Sequence, residues 1–392
     1  MTKLKRAAIR EAVETLLRKR GSRVLPISDI AERIQLSDPV SRDDVDSIVE
    51  EMERSGEVIA VRGKRYSLLE FTPYATGRIR IFSDGEGLIF TAGSEEPDLR
   101  INRKSLRGAM NGDLVLVRPD KEGGRVREVR GRRVIDAEVM RILQRAHRTV
   151  VGRLHLSEPP FVVPFDSRID TEIEILPGET MDGRDGEMVH VEIERYPGQS
   201  FGANGRVIEV LGMIGEPGVD IEVVIRKYGI PHEFPDDVLR AADEIESSIS
   251  DSELDGRADF RNRAVVTIDG ETARDFDDAV EVSRLENGNF RLGVHIADVA
   301  HYVREGSILD REAFERGTSV YFPGRAVPML PERLSNGICS LNPRVDRLTF
   351  SAILEIDPRG RVVARTFAKS VIRTRARMTY TDVNAILADG DA

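Results

Sequence analysis

The stretch RAVVTIDGETARDFDDAV, residues 263–280, joins two apolar segments through a strongly acidic loop. The β-branched run Ala264–Ile268 and the shorter run Ala279–Val282 each predict a strand. The connecting segment carries Asp269, Asp275, Asp277 and Asp278. Because strands on both sides would hold these side chains in place, the stretch predicts a sheet edge with a concentrated negative charge.

This negative charge needs compensation. Each close pair of carboxylates repels by ~1 kcal/mol in water and ~4 kcal/mol at partial burial. A hard cation such as Mg²⁺ or Mn²⁺ removes the repulsion, and two such ions about 4 Å apart assist phosphodiester cleavage. A solvated acidic loop or a Ca²⁺ site is the alternative. Neighbouring strand residues point to opposite sides, so we expect only one of Asp277 and Asp278 to share an ion with Asp269.

Three segments in this order carry a more specific signal. They are Thr267–Gly270 with Ala273–Ala279, then Gly293–Val303, then Tyr321–Gly324 with Pro328–Pro331, Leu334–Ser335 and Cys339–Leu341. Together they resemble the catalytic domain of the ribonuclease II/ribonuclease R family, most firmly over residues 257–380. The resemblance implies a 3′→5′ exoribonuclease that threads single-stranded or 3′-tailed RNA into a narrow channel. It also implies processive release of nucleoside 5′-monophosphates.

The resemblance implies roles for individual residues as well. The magnesium-binding aspartates of the family correspond to Asp269, Asp275, Asp277 and Asp278, of which Asp277 and Asp278 are the catalytic pair. Tyr321 corresponds to a tyrosine that packs against RNA near its 3′ end. Mg²⁺ is the implied cofactor, with Mn²⁺ as a substitute. We assign no role to His295 and His301, for which packing or backbone hydrogen bonds are expected, and we expect Cys339 to be a small buried residue.

The N-terminal residues predict a small helical domain. Apolar spacing predicts helices over 4–20, from Ser28 and over 43–54, with Ser28 and Asp29 as candidate caps, Gly56 as a terminator and a hairpin over 58–69. This is the pattern of a winged helix-turn-helix, in which the third helix and the basic turn Arg62–Arg65 would contact nucleic acid. A helical protein-interaction domain is equally compatible, since Glu50, Glu51 and Glu53 make the third helix acidic.

Residues 75–215 contain an internal repeat of β-rich segments. The matched segments are Gly77–Ile79 with Gly152–Leu154, Gly87–Phe90 with Pro160–Val163, and Met110–Val117 with Arg184–Val191. Each repeat is long enough for a five-stranded barrel of the OB or cold-shock kind. Lys and Arg outnumber Asp and Glu over 71–150 but not over 151–250, so we assign RNA binding to the first barrel. Its candidate residues are Phe82, Phe90, Arg100, Arg103, Lys104 and Arg107, and the alternative is that both phenylalanines belong to the core.

These patterns predict a multidomain α+β protein. The expected domains are a winged helix-turn-helix over 1–70, OB/cold-shock barrels over 71–145 and 146–215, a connector over 216–256 with a helix over 236–249, and a catalytic RNB domain over 257–392. Relatives in the family continue beyond this point with a catalytic arginine, an aromatic clamp and an S1 barrel. We therefore expect a chain that is incomplete at its C-terminus, with doubtful activity on its own.

The composition limits the setting and the partners. The chain has 392 residues, a formal net charge of −10 and one cysteine, Cys339. One cysteine excludes an intrachain disulfide and a Cys-rich zinc site, which suits a reducing cytosol. No signal peptide or membrane span is recognisable. We expect a cytoplasmic monomer with single-stranded RNA as its ligand, no membrane partner, and the ribosome or other RNA-decay proteins as candidate partners.

Two other functions are compatible with parts of this pattern. The winged helix and the barrels by themselves would suit a non-catalytic RNA-binding regulator, and the winged helix alone would suit a transcription factor that reads DNA. The four aspartates favour the nuclease, because clustered negative charge near RNA is of no use to a protein that only binds it.

Overall fold

The computed structural model describes residues 3–21, 23–34, 40–61, 63–91, 97–120, 126–198 and 200–389. The chain divides into two compact units, Met1–Gly229 and Ile230–Ala392. The first unit contains a small helical domain and two β-structures, and the second contains a mixed sheet with helices. The mixed α+β class is therefore confirmed, whereas the finer domain boundaries stay predictions.

The helical domain packs three helices on a small antiparallel sheet. The elements are α1 (Lys3–Arg20), β1 (Leu25–Pro26), α2 (Ile27–Arg33), α3 (Arg42–Ser55), β2 (Val58–Ala60) and β3 (Arg65–Leu68), with sheet order β1-β3-β2. The helical periodicity is confirmed, because Ile9 and Val13 of α1 pack in one core with Val45 and Ile48 of α3. Arg62 of the predicted basic turn lies outside the described residues.

The helix ends of this domain agree only in part with expectation. Gly56 ends α3 in the left-handed conformation, as predicted, and Ser41 begins it by accepting a hydrogen bond from the Asp44 N–H. The capping role predicted for Ser28 and Asp29 is wrong, because both lie inside α2. That helix follows Pro26, whose φ of −67° is set by its ring, and has no side-chain cap.

The first β-structure is a seven-stranded sheet that curls back onto itself. Its strands are β4 (Ala75–Arg78), β5 (Arg80–Ile81), β6 (Gly87–Ile89), β7 (Asp98–Ile101), β8 (Leu114–Pro119), β9 (Arg127–Val129) and β10 (Arg132–Gln144). The pairing order is β4-β8-β10-β7-β6-β5, with β9 on β10. Only Ile79 separates the two end strands, and its backbone bonds to Gly112 and Asp113. The pairing order therefore begins and ends with two strands, β4 and β5, that belong to one continuous segment, residues 75–81.

The second β-structure is a closed barrel with the same pairing scheme. Its strands are β11 (Thr149–His155), β12 (Phe161–Pro164), β13 (Ile173–Ile175), β14 (Met188–Arg195) and β15 (Ala203–Gly212), in the order β11-β12-β13-β15-β14. Each structure contains one parallel pair that involves its last strand, β7 with β10 in the first and β13 with β15 in the second. The repeated segments lie in equivalent strands, since Gly77 is in β4 and Gly152 is in β11.

A helix that the sequence did not predict follows the closed barrel. Helix α4 (Val219–Tyr228) places Val219 and Val223 against Val151 and Met188 of the barrel. The segment up to Gly229 therefore belongs to the first unit and packs on the closed barrel.

The second unit is built on one seven-stranded sheet. Its strands are β16 (Ala258–Asp259), β17 (Val266–Asp269), β18 (Asp278–Arg284), β19 (Phe290–Ala297), β22 (Asp346–Ile356), β23 (Val362–Arg373) and β24 (Ala376–Thr379); β20 (Val320–Phe322) and β21 (Arg325–Val327) form a separate hairpin. The sheet order is β16-β23-β22-β19-β18-β17-β24. The two strands predicted from the opening stretch, β17 and β18, are neighbours, with Val266 opposite Val280.

Five helices accompany this sheet. They are α5 (Asp236–Asp243), α6 (Asp251–Leu254), α7 (Val299–Tyr302), α8 (Ile308–Arg316) and α9 (Tyr380–Asp389). The prediction of one helix over 236–249 is wrong at its C-terminal end, because α5 ends at Asp243 and Ser250 caps a new helix. Serine side chains compete with the helical backbone for hydrogen bonds, which explains the break. In the described part of the chain, the helices are too short or too polar to cross a membrane.

Candidate active site

The acidic loop, residues 270–277, connects the end of β17 to the start of β18. Phe276 is buried and fixes the loop from inside, in a core with Val265 and Leu341. Its N–H donates to Ser340 Oγ at 3.1 Å, and its carbonyl accepts from the Leu341 N–H at 2.8 Å. Asp275 and Asp277 flank this anchored residue and are partly or fully exposed. The loop therefore presents its carboxylates while its apolar residue is held in the core.

The four aspartates are in electrostatic contact. Burial raises the pKa of Asp269, and the charges of Asp278, Asp277 and Asp275 raise it further. Partial burial, followed by the charge of Asp277, also raises the pKa of Asp278. Asp269 is half-buried, and its Oδ2 has no hydrogen-bond partner in the structure. An ionised, buried and unpaired carboxylate oxygen is unfavourable, so this position favours a cation or a proton.

The donor set suits a hard divalent cation, although it does not form a complete cage. Within the described ranges, no three His, Cys, Asp or Glu side chains are gathered closely enough to surround an ion. Mg²⁺, however, is usually bound through one or two carboxylates and completes its shell with water and substrate phosphate. The unpartnered oxygen of Asp269 and the nearby carboxylates therefore fit such an ion.

Tyr321 lies next to this loop. Its side chain projects from β20 and is 64% exposed, and its hydroxyl donates to Asp275 Oδ2 at 2.5 Å. This hydrogen bond, followed by burial, raises the pKa of Tyr321. The structure thus brings together a tyrosine and an aspartate that the sequence places far apart, and it leaves the ring face open.

Arg377 is a further residue at the site that the sequence did not reveal. Its Nη2 donates to the carbonyls of Gly270 (2.8 Å) and Glu271 (2.6 Å). Its positive charge opposes the shift that raises the pKa of Asp269. Arg377 reaches the loop because β24 pairs in parallel with β17. No local motif around residue 377 signals this pairing.

The candidate RNA-stacking residues of the first β-structure are outside its core. Phe82 is half-buried, and the guanidinium groups of Arg130 and Arg80 lie 4.2 and 5.5 Å from its ring centre. Phe90 is 43% exposed, with Arg132 at 5.0 Å. The alternative that both rings are core residues is therefore not what the structure shows, and both have an arginine beside them.

Most of the candidate basic residues have acidic partners. Arg103 pairs with Asp170 at 2.6 Å, Arg107 pairs with Glu138, and Arg100 pairs with Glu86 and Asp136. Lys104 is exposed. These three arginines are thus neutralised by acidic partners, and strand pairing explains one of the contacts, because Asp136 of β10 lies opposite Arg100 of β7.

His295, His301 and Cys339, to which the sequence assigned no catalytic role, all lie in the second unit. His295 is fully buried, and its Nδ1 lies 2.6 Å from Ser351 Oγ. His301 is half-buried, with Nε2 at 2.7 Å from Glu253 Oε1. Cys339 is buried and free. The burial of His295 and Cys339 agrees with expectation, whereas both histidines bond to side chains and not to the backbone as expected.

Comparison with family models assigns both parts of the chain. Residues 257–392 match the RNB domain, and residues 161–235 match the cold shock domain. The first match contains the whole acidic loop, and the second runs from β12 of the closed barrel through α4.

Curated relatives match over nearly the whole chain. Ribonuclease R of Acidithiobacillus ferrooxidans is 40% identical over 390 residues, which cover 98% of this chain and 85% of the relative. Ribonuclease R of Thermotoga maritima is 38% identical, with 96% of this chain and 52% of the relative covered. The Escherichia coli enzyme is 38% identical over 86% of this chain and 40% of its own length. The chain thus spans about half or less of several relatives.

Solved structures agree with this assignment. RNase R of Mycoplasma genitalium, in complex with ribose-methylated single-stranded RNA, matches with a TM-score of 0.73 and 28% identity, over 81% of this chain and 49% of that one. A yeast pseudonuclease shares the fold with a TM-score of 0.59 at 20% identity. The fold alone therefore does not establish catalysis. By sequence identity and coverage, however, this chain belongs to the ribonuclease R family of RNB-domain exoribonucleases, which are hydrolases.

Proposed function

We propose that this protein is a divalent-metal-dependent 3′→5′ exoribonuclease that hydrolyses single-stranded or 3′-tailed RNA to nucleoside 5′-monophosphates. The observation that carries the proposal is the acidic loop: a half-buried Asp269 with an unpartnered oxygen, under repulsion from three further aspartates. Family membership places this loop in an RNB domain. The proposed setting is RNA decay and quality control in the cytoplasm, with the ribosome and other RNA-decay proteins as proposed partners.

The proposed chemistry assigns distinct tasks to the aspartates. Asp269, Asp275, Asp277 and Asp278 would hold Mg²⁺ or Mn²⁺ together with the RNA phosphate. Bound divalent ions supply an activated water and neutralise charge on the phosphate and the leaving oxygen. Asp277 and Asp278 are the most exposed of the four, so we assign them to the reacting phosphodiester. Asp269 is the most enclosed and anchors the set at the end of β17.

Tyr321 has a proposed role in holding the RNA. Its exposed ring offers a face for a terminal base or ribose, and its hydroxyl is tied to Asp275. A base stacked on an aromatic ring contributes about 1–3 kcal/mol without reading sequence. This placement would keep the 3′ end beside the carboxylates, which suits processive removal of one nucleotide at a time.

The first β-structure is proposed to hold the RNA strand upstream. We assign the contact to Phe82 and Phe90, with Lys104 and Arg103 as phosphate ligands. Arg103 would exchange Asp170 for a phosphate, since the ion pair is exposed and therefore weak. The proposed boundaries are 71–145 and 146–215 for the barrels, 216–256 for the connector and 257–392 for the RNB domain.

The domain over 1–70 is proposed to be a winged helix that docks on protein. Its third helix is engaged within the first unit, where Glu53 pairs with Arg141 of β10 at 2.7 Å. A methyl group on Gly56, at the end of α3, would come within 2.8 Å of Thr76 in β4. These contacts and the acidic side chains of α3 disfavour its insertion into a DNA groove, and they weigh against a DNA-reading function.

The alternative of a non-catalytic RNA-binding regulator uses the same barrels. It is the less favoured function, because all four aspartates are present and in electrostatic contact. This alternative is favoured if the following test contradicts the nuclease.

The test compares a full-length version of the wild-type protein with Asp277→Asn and with the control Glu286→Gln, which alters an exposed carboxylate outside the site. Calorimetry with Mn²⁺ in the presence of poly(A) should detect uptake by the wild type and the control. Release of 5′-AMP should fall by about 100-fold or more in Asp277→Asn, while binding of poly(A) persists. Absence of metal uptake by folded wild-type protein, or unchanged turnover in Asp277→Asn, would contradict the proposal.

A further inference from the structure

Arg377 contacts both ends of the acidic loop. On one side, its Nη2 donates to the carbonyls of Gly270 and Glu271 at 2.8 and 2.6 Å. On the other side, its guanidinium carbon lies 5.3 Å from the centre of the Phe276 ring. Gly270 and Glu271 directly follow Asp269 in the chain, and Phe276 separates Asp275 from Asp277. The loop is therefore folded around one guanidinium group.

The position of Arg377 is set by strand pairing. Arg377 lies opposite Thr267 in the parallel pair β17–β24, and Asp269 lies opposite Thr379. The same strand also precedes Thr381, whose hydroxyl donates to Glu271 Oε1 at 2.5 Å. Arg377 therefore lies on the strand that pairs directly with β17, the strand that carries Asp269.

The environment of Arg377 is difficult to explain by stability alone. Its Nε is buried and has no hydrogen-bond acceptor in the described structure. A buried donor without a partner costs about 1–3 kcal/mol. Its charge, in contrast, lies where four carboxylates repel one another. The cost of the unsatisfied Nε donor is explained if Arg377 holds the carboxylates in position.

We propose that Arg377 is a positioning residue for the aspartates: it closes the loop 270–277 so that Asp269 is held beside Asp275, Asp277 and Asp278. The inference rests on the proposed function of these carboxylates as ligands of divalent cations.

A positioning role and a purely electrostatic role have opposite consequences. Removing a positive charge near the aspartates would, by Coulomb's law alone, tighten the binding of a divalent cation. Removing a clasp would separate the ligands and weaken it. Loss of a residue that orients metal ligands typically lowers affinity by about 10- to 100-fold. The sign of the change therefore decides between the two roles.

The first experiment measures Mn²⁺ affinity by calorimetry on the 392-residue chain. Arg377→Gln should bind Mn²⁺ at least about tenfold more weakly than the wild type. Arg377→Lys should recover part of the affinity, since an ammonium group can still donate to the loop carbonyls. The control Arg375→Gln removes an exposed charge two positions away, whose guanidinium reaches only the Asn262 carbonyl among the contacts described, and should match the wild type. Unchanged or tighter binding in Arg377→Gln would overturn the proposal.

The second experiment needs no metal. Amide hydrogen exchange of residues 270–277 should accelerate by about tenfold or more in Arg377→Gln, with exchange in β19 and β22 unchanged, and Arg375→Gln should leave the loop as it is. Unchanged amide exchange in the loop would contradict the proposal that Arg377 holds it closed. If the loop opens in Arg377→Gln but the wild type takes up no Mn²⁺, the proposed nuclease function fails and the positioning role stands.

Discussion

His295 illustrates how a single residue of the second unit couples folding to pH. The side chain is fully buried between strands, with Nδ1 bound to Ser351 and Nε2 without a partner. Burial lowers its pKa to about 4, an effect that Arg263 reinforces and Glu281 opposes. The histidine is therefore neutral in the fold at the pH values where it begins to gain a proton in the unfolded chain.

We expect the second unit to lose stability as the pH falls from about 6.5 to about 4. In this window the unfolded chain binds a proton at residue 295 and the folded chain does not, so acid favours unfolding, by up to about 3 kcal/mol. Amide exchange in β19 at several pH values measures the effect. The variant His295→Asn should not show this part of the loss of stability. An identical dependence of stability on pH in both proteins would contradict the role of His295.

A buried ion pair gives a second prediction at this scale. Arg257 and Asp298 are about 5% exposed, and their charged groups lie 2.7 Å apart. Arg257→Met would leave Asp298 buried, with Lys369, at 3.6 Å, as its remaining cationic partner among the described residues. We expect a loss of about 3 kcal/mol in urea unfolding, partly recovered in the double variant Arg257→Met/Asp298→Leu. A single variant as stable as the wild type would show that the pair contributes nothing.

At the scale of elements, the two β-structures have glycines at equivalent positions of their first strands. A methyl group on Gly77 of β4 would meet Ile89 Cγ2 at 2.2 Å, and one on Gly152 of β11 would meet the Val163 carbonyl oxygen at 2.4 Å. Gly77 therefore leaves room for a side chain of β6, whereas Gly152 lets β11 lie close to the backbone of β12. The repeated Gly-Arg dipeptide in the sequence thus marks a position where a larger residue than glycine would clash.

Gly152→Ala should destabilise the closed barrel by about 1–3 kcal/mol, because the backbone of β12 has to shift. Gly202→Ala in the same barrel is the matched control, since a methyl group there meets nothing within 4 Å. Thermal unfolding of the two variants measures the difference. Equal melting temperatures would mean that β11 and β12 can move apart without a loss in the free energy of unfolding.

The molecule as a whole consists of two compact units, and only Ile230–Ala392 carries the aspartates. Ligand binding stabilises the folded state that binds it, by about 2.7 kcal/mol at a ligand concentration 100 times Kd. We therefore expect calorimetry to resolve two unfolding transitions, of which Mg²⁺ raises only one. Asp277→Asn should abolish that shift. A Mg²⁺-dependent shift of the other transition would place the metal site elsewhere.

Much of this organisation is readable from the amino-acid sequence alone. The strands β17 and β18, the four aspartates at and between their ends, the repeat that underlies two similar β-structures and the end of α3 at Gly56 are encoded in contiguous residues. Alternation, β-branching and glycine act over a few positions, so a short stretch is sufficient to predict them. Only the tertiary structure decided which side chains meet: Tyr321 with Asp275, Arg377 with the acidic loop, and Arg100, Arg103 and Arg107 with acidic partners. These contacts depend on strand order and register between segments far apart in the chain, and no local pattern contains that information.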